Sequence, residues 1–304
     1  MPVEYYQAIS SNKAKTWLLL AAFAVMIIMM GWVFGELLSG GLGILGVVLA
    51  FIISIIYALI GYYSGDRVVL WMSGAREAAK SEFPYYYNTV EGLSIAAGIP
   101  MPKLYVMEDA ALNAFATGRD PQHASVAATT GLLKAMNRAE LEGVLAHELS
   151  HVKNLDIRVM TIATVLAGVI VFLADIFGRM LWHSGGGRDR RGSPALAILG
   201  LLFIILAPIA AQLIRLAVSR QREYLADASA VELTRIPDGL QSALTKIAGD
   251  KNMLRNASHA TAHLFISNPF KQERGIFASL AGLFSTHPPI DDRIKRLADM
   301  GAPG

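Results

Sequence analysis

The chain has 304 residues, of which 54% are hydrophobic and only 17% charged, against about 25% charged in an ordinary soluble domain; that composition argues against a purely soluble protein. A net charge of +3 is too small for a nucleic-acid surface and suits lysines and arginines beside anionic lipid headgroups. The absence of cysteine excludes disulfides and thiolate ligands, so any metal must be held by His, Asp, Glu or backbone.

No charged residue lies between Lys15 and Glu36, or between Glu36 and Asp66. TWLLLAAFAVMIIMMGWVFG and GLGILGVVLAFIISIIYALIGYY therefore each reach the roughly 20 residues needed to cross a bilayer. A polar stretch precedes the first span and no small-x-small site clearly follows it, so that span is expected to stay as an anchor. Trp17, Trp32, Trp71 and Trp182 fall at or near segment ends, where an indole suits the headgroup level. Lys13 and Lys15 precede the first span and Arg67, Arg76 and Lys80 follow the second, which puts the N-terminus and the region after residue 66 in the cytoplasm. The expected layout is residues 1–65 as a polar segment and transmembrane hairpin, 66–158 as a first catalytic block, 159–214 as a second hairpin and 215–304 as a second catalytic block.

In the first block, KLYVME, NAFATG and ASVAATTG are short, β-leaning and bounded by Asp, Gly and Pro, which predicts a small antiparallel sheet. Asn137 followed by Glu140 resembles a capping box opening a helix with an apolar stripe of Leu141, Leu145, Leu149 and Val152. His147 and His151 lie together on its flank, and side chains four apart on a helix are about 5–6 Å from each other, close enough to share one ion. His-Glu-x-x-His on a helix is a zinc-protease signature in which the glutamate, here Glu148, takes the proton of the attacking water. Glu140, Glu142, Lys153, Asp156 and Arg158 flank the motif, too many charges for a site inside lipid, so it belongs at the membrane surface.

The third hydrophobic segment, VMTIATVLAGVIVFLADIFG from Val159, carries Asp175, which is expected to snorkel or to pair with Arg179. The fourth, PALAILGLLFIILAPIAAQLI, should kink at Pro208. Their connecting loop holds Arg179, Arg188, Arg190 and Arg191, against the positive-inside pattern, so whether this pair fully crosses stays open. Beyond it comes SRQREYLADASA. Glu223 can complete a His-His-Glu ligand set, and Asp227, four residues on, can bond a ligand histidine and fix its tautomer. Arg220 and Arg222 can support this helix or meet lipid headgroups. HATAH gives His259 and His263 the spacing of a metal pair, but Ala260 stands where a base would be, so the pair is taken as structural. His123 and His183 are taken as incidental.

HELSH, followed beyond a hydrophobic pair by SRQREYLADASA and preceded by LNAFATG and two N-terminal spans, resembles the HtpX family of bacterial membrane-integrated zinc metalloproteases, relatives of the CAAX prenyl proteases. The resemblance covers nearly the whole chain, in order. It implies a mainly α membrane protein with four hydrophobic helices and a cytoplasmic zincin-like domain. It also implies one catalytic Zn2+ on His147, His151 and Glu223 in a gluzincin-type set, with Glu148 as general base. Asn113, Ala114 and Phe115 would belong to an edge strand that pairs with extended, unfolded or membrane-protein substrates, a mode that reads main chain and so tolerates many sequences. STHPPIDDRIKRL also matches, and its His287 either stabilises the oxyanion or merely helps start a helix begun by Pro288 and Pro289. The implied role is quality control of damaged proteins at the inner membrane under stress, with the lipid bilayer and polypeptides as partners and no nucleic acid. A non-proteolytic zinc-binding scaffold or chaperone is the alternative, though it gives Glu148 nothing to do. A transporter would need more polar residues in the spans.

Overall fold

The computed structural model describes residues 2–39, 43–184, 220–258, 260–269 and 288–301. The fourth hydrophobic segment, the arginine-rich loop before it, His259 and His287 lie outside these, as do the side chains of Asp175, Arg179, Trp182 and His183.

Helices α1 (Pro2–Ser39) and α2 (Gly43–Tyr63) follow from the two uncharged runs. Within them Ile9–Trp32 and Ile44–Tyr63 are long and apolar enough to cross a membrane. Trp17, Val25, Met29, Phe51, Ile52, Ile56 and Leu59 point outward, an arrangement with no driving force in water and a natural one in lipid. The inward face, Leu19, Phe23, Met26 and Ile27, packs on Ala50 and on Val159, Ile162, Ala163 and Leu166 of α7 (Asp156–Ser184). A Cβ at Gly31 would overlap Ala50 and the Gly46 carbonyl, so only glycine lets α1 and α2 approach this closely. Helix α7 carries the third hydrophobic segment, and residues 157–167 at its N-terminal end are buried against protein apart from the half-buried Arg158. Two of the four expected spans are recognised among the described residues, and the fourth lies outside them.

After α3 (Gly65–Met72) the chain forms β1 (Ala75–Glu77), α4 (Pro84–Ala97), β2 (Lys103–Met107), β3 (Ala114–Gly118), β4 (Ala124–Thr129) and α5 (Thr130–Ala135). The three predicted strands are present, and β1 is an addition. The sheet order is β1-β2-β4-β3, with β2 and β4 parallel and the other two pairings antiparallel. The expected antiparallel sheet is thus a mixed one. The chain leaving β2 carries β3 to the far edge, and the hairpin back from β3 lays β4 between them, running with β2. Strand order is set by this long-range placement and not by alternation within any strand.

Helix α6 (Arg138–Lys153) opens with the predicted capping box: Asn137 Oδ1 accepts from the Glu140 N–H at 3.0 Å, and Glu140 Oε2 accepts from the Asn137 N–H at 2.8 Å. Its stripe of Leu141, Leu145, Leu149 and Val152 is buried as expected, but so is nearly every residue from Gly143 onward. Helix α6 is the central rod of the domain, enclosed by the sheet, α4, α7, α8 (Arg220–Thr234) and α9 (Pro237–Gly249), and α10 (Ile290–Gly301) closes over α8 and α9. At the α6–α9 crossing a Cβ on Gly143 would stand 2.6 Å from the Leu240 backbone nitrogen. Gly143→Ala is therefore expected to destabilise the fold by about 1–3 kcal/mol, the usual result of overpacking a tight core, visible as a lower unfolding temperature in detergent.

Candidate metal centre and active site

His147 and His151 project from one side of α6 toward α8. Their Nε2 atoms face each other at 3.2 Å, with the rings edge to face at 89°. Glu223 closes the triangle: Oε2 lies 3.8 Å from His147 Nε2 and Oε1 lies 3.6 Å from His151 Nε2. All three side chains are buried, and they form the group of potential ligand atoms found among the described residues. Tetrahedral zinc with bonds of about 2.0–2.2 Å sets ligand–ligand edges of roughly 3.3–3.6 Å; the imidazole pair is close to that, and Glu223 approaches the two nitrogens through different oxygens, with one ligand atom from each residue within 4.8 Å of the others. The donor set fits such an ion.

Each histidine is oriented from behind. His147 Nδ1 lies 2.9 Å from Asp227 Oδ1, and His151 Nδ1 lies 3.0 Å from Asp156 Oδ2. A carboxylate on Nδ1 keeps the proton there and turns Nε2 toward the ion. Asp227 stands where the sequence predicts. Asp156, read from sequence only as a charge unsuited to lipid, is brought back to His151 by Leu155, whose φ of 59° is left-handed, a costly turn for a branched side chain. Arg293, also missed, is buried; its Nε and Nη2 grip both Asp227 oxygens at 2.9 and 2.7 Å. It sits in the STHPPIDDRIKRL stretch, where no spacing ties it to Asp227, 66 residues earlier. Arg222 is buried behind Asp156 at 3.5 Å, supporting the ligand network instead of facing headgroups, whereas Arg220 is exposed.

Glu148 is buried beside this cluster. Burial raises its carboxyl to about 7, with the His151 imidazole opposing that rise and Glu223 adding to it; the Ala116 N–H of β3 bonds it and also opposes. A base with that value is poised to take and return protons near neutrality. The two histidines diverge. Burial and then the Arg293 charge hold His147 low, while at His151 burial is outweighed by Asp156 and Glu223, which raise it to about 9. A metal must displace that His151 proton, so affinity should fall as pH drops below about 9, by roughly tenfold per unit for one proton released. Competition with a chromophoric chelator between pH 6 and 9 measures this slope.

Ala114 and Phe115 open β3, an edge strand as expected, and Asn113 immediately precedes it, but all three are buried. The chain's own segment covers this end of the edge. The Ile266 N–H donates to the Ala114 carbonyl at 3.0 Å, Asn113 Nδ2 donates to the Ser267 carbonyl at 3.1 Å, and Phe265 meets Phe115 edge to face. Arg293 Nη1 holds the Ile266 carbonyl at 3.1 Å, so the segment bridges the edge strand and the metal-site arginine. His263 packs on α7, 3.2 Å from Thr164 Oγ1, away from the cluster. His123 bonds Asp120 at the surface.

The Peptidase family M48 model matches residues 80–300. The chain belongs to peptidase family M48. Within that family it is 47% identical over 300 residues to a "Protease HtpX homolog" of Dictyoglomus turgidum, covering 99% of this chain and 96% of that one. It is 47% identical over 302 residues to one of Streptococcus gordonii, covering 97% and 99%. These relatives bear out the resemblance to HtpX and make the chain an HtpX-type membrane metalloprotease. The crystal structure of S. mikatae Ste24p aligns at 18% identity and a TM-score of 0.48, over 96% of this chain and 67% of that one, a likeness too slight to carry an inference. For an M48 metallopeptidase the His147–His151–Glu223 cluster is the compatible metal centre.

Proposed function

We propose that this M48 chain is a zinc endopeptidase of the bacterial inner membrane that cleaves misfolded or damaged membrane proteins on the cytoplasmic side. The observation that carries it is the opposition of two Nε2 atoms at 3.2 Å with a carboxylate completing the triangle and a buried glutamate beside them. A cysteine-free set of two imidazoles and one carboxylate suits zinc. The basic residues flanking the first two spans favour a cytoplasmic site, and the catalytic domain is read as residues 66–158 and 215–304 joined around a second hairpin, with four spans in all.

Zinc on His147, His151 and Glu223 would supply Lewis acidity to the scissile carbonyl and activate water. Glu148 takes the proton of the attacking water and delivers it to the leaving amine. Asp227 and Asp156 hold the ligand imidazoles in one tautomer. The contacts now made to Ile266, its N–H on Ala114 and its carbonyl on Arg293, are those an extended substrate would make on entering, so the segment has to yield the edge for a substrate strand to pair. His287 remains the candidate for stabilising the oxyanion.

Removing the metal with a chelator is expected to abolish casein hydrolysis by the detergent-purified chain, and Zn2+ is expected to restore it. Reconstituted with a misassembled membrane substrate, the chain should cut cytoplasmic loops only. Hydrolysis indifferent to metal removal would sink the proposal.

A further inference from the structure

The polar first turns of helix α1 point one amide inward. Asn12 lies three residues into the first candidate span and is 1% exposed. A buried amide in such a helix is costly unless its bonds are made. Asn12 Nδ2 donates to Asp156 Oδ1 at 2.7 Å and to the Asn154 carbonyl at 3.1 Å, and its Oδ1 accepts from Arg222 Nη1 at 3.1 Å. Three elements distant in sequence meet at this side chain: the membrane helix α1, the α6–α7 junction, and the first turn of α8 beside Glu223.

The other oxygen of Asp156 is the one on His151 Nδ1. A carboxylate gripped on one oxygen by an amide and approached there by a guanidinium cannot turn freely about its terminal bond. Its second oxygen is thereby aimed at the imidazole. We propose that Asn12 is a positioning residue for the metal centre: through Asp156, the first membrane helix fixes the orientation of His151. This rests on reading His151 as a ligand. Tight metal binding then requires α1 to be docked, and the anchor is a working part of the site as well as a tether.

The test is zinc affinity of the full chain in detergent, by chelator competition, with thermal unfolding of the metal-free protein alongside. Partners that orient a ligand histidine are worth about 10–100-fold in metal affinity, and Asn12 stands one bond further out. Asn12→Leu, which keeps the bulk and deletes all three bonds, is expected to lose about 10-fold, the lower end of that range. Asn12→Ser, too short to reach Asp156, is expected to weaken zinc in the same direction and serves if the leucine variant does not fold. Leu19→Ala trims one buried apolar contact two turns along α1 but leaves the helix docked through Asn12 and its three bonds, and should lower the unfolding temperature while leaving zinc affinity unchanged. Native affinity in the Asn12 variants, or an equal loss in Leu19→Ala, overturns the proposal. His151→Ala separates the two readings: if it too keeps native affinity, the ligand assignment fails; if it loses zinc while the Asn12 variants do not, only the role of Asn12 fails.

Discussion

Glu148→Gln is expected to keep its metal and lose hydrolysis by about a thousandfold, in the middle of the range for removing a general acid–base group. The carboxamide has nearly the shape of the carboxyl and can still accept the Ala116 N–H that Glu148 accepts, but it cannot take a proton from water. Stability supplies an independent check. The folded-state value of about 7 lies above the ordinary carboxyl value of 4.5, so folding disfavours the charged form. That penalty is absent below about 4.5, grows as pH rises to about 7 and is constant above. The metal-free glutamine variant should therefore unfold at a higher temperature than the native chain at pH 8, and at the same temperature near pH 4. Zinc content, casein hydrolysis and two melting curves decide it; cleavage surviving in the variant would move the base elsewhere.

Glu223→Ala is expected to lose the metal itself. It removes one of three donors from a buried site, and the loss of affinity should exceed the roughly 10–100-fold that outer partners command. It also leaves Arg293, whose Nη1 lies 3.7 Å from Glu223 Oε2, with Asp227 as its remaining carboxylate in the cluster, which weakens the metal-free fold. Asp227→Asn makes the informative comparison. It should keep the donor count and fall within the 10–100-fold range, because the carboxamide can present the wrong atom to His147 Nδ1. Undiminished zinc affinity in Glu223→Ala would remove it from the ligand set.

What could be read in the sequence was local. The capping box at Asn137, the leucine stripe of α6, the two uncharged spans and the three β-leaning segments are each specified within a few turns or residues of chain, and each is present. The candidate metal cluster was legible because its members carry chemistry: two imidazoles on one helical face and a Glu-x-x-x-Asp pair on another, which the fold brings together. The parts that escaped depend on distance in the chain. No pattern within β2 or β4 announces that they run parallel, because that follows from where β3 is carried. Asp156 reaches His151 only because Leu155 adopts a left-handed turn. Arg293 meets Asp227 across 66 residues and Asn12 meets Asp156 across 144, separations over which helical periodicity says nothing. The covering of β3 by Ile266 is likewise a tertiary fact, invisible in NAFATG.

The centre draws on α1, α6, the start of α7, α8 and α10, and these leave the ribosome in that order. Asn12 is in place first, and His147, Glu148 and His151 follow. The third donor does not exist until Glu223 has been made, beyond the whole of α7, and the clamp on Asp227 waits for Arg293. A nascent chain can thus insert its first helices beside unfolded neighbours while its two imidazoles and its base still lack a complete cage. Domains fold as units during synthesis, and here the network behind the candidate metal site closes only when α10, the last of the described helices to be made, brings Arg293 onto Asp227.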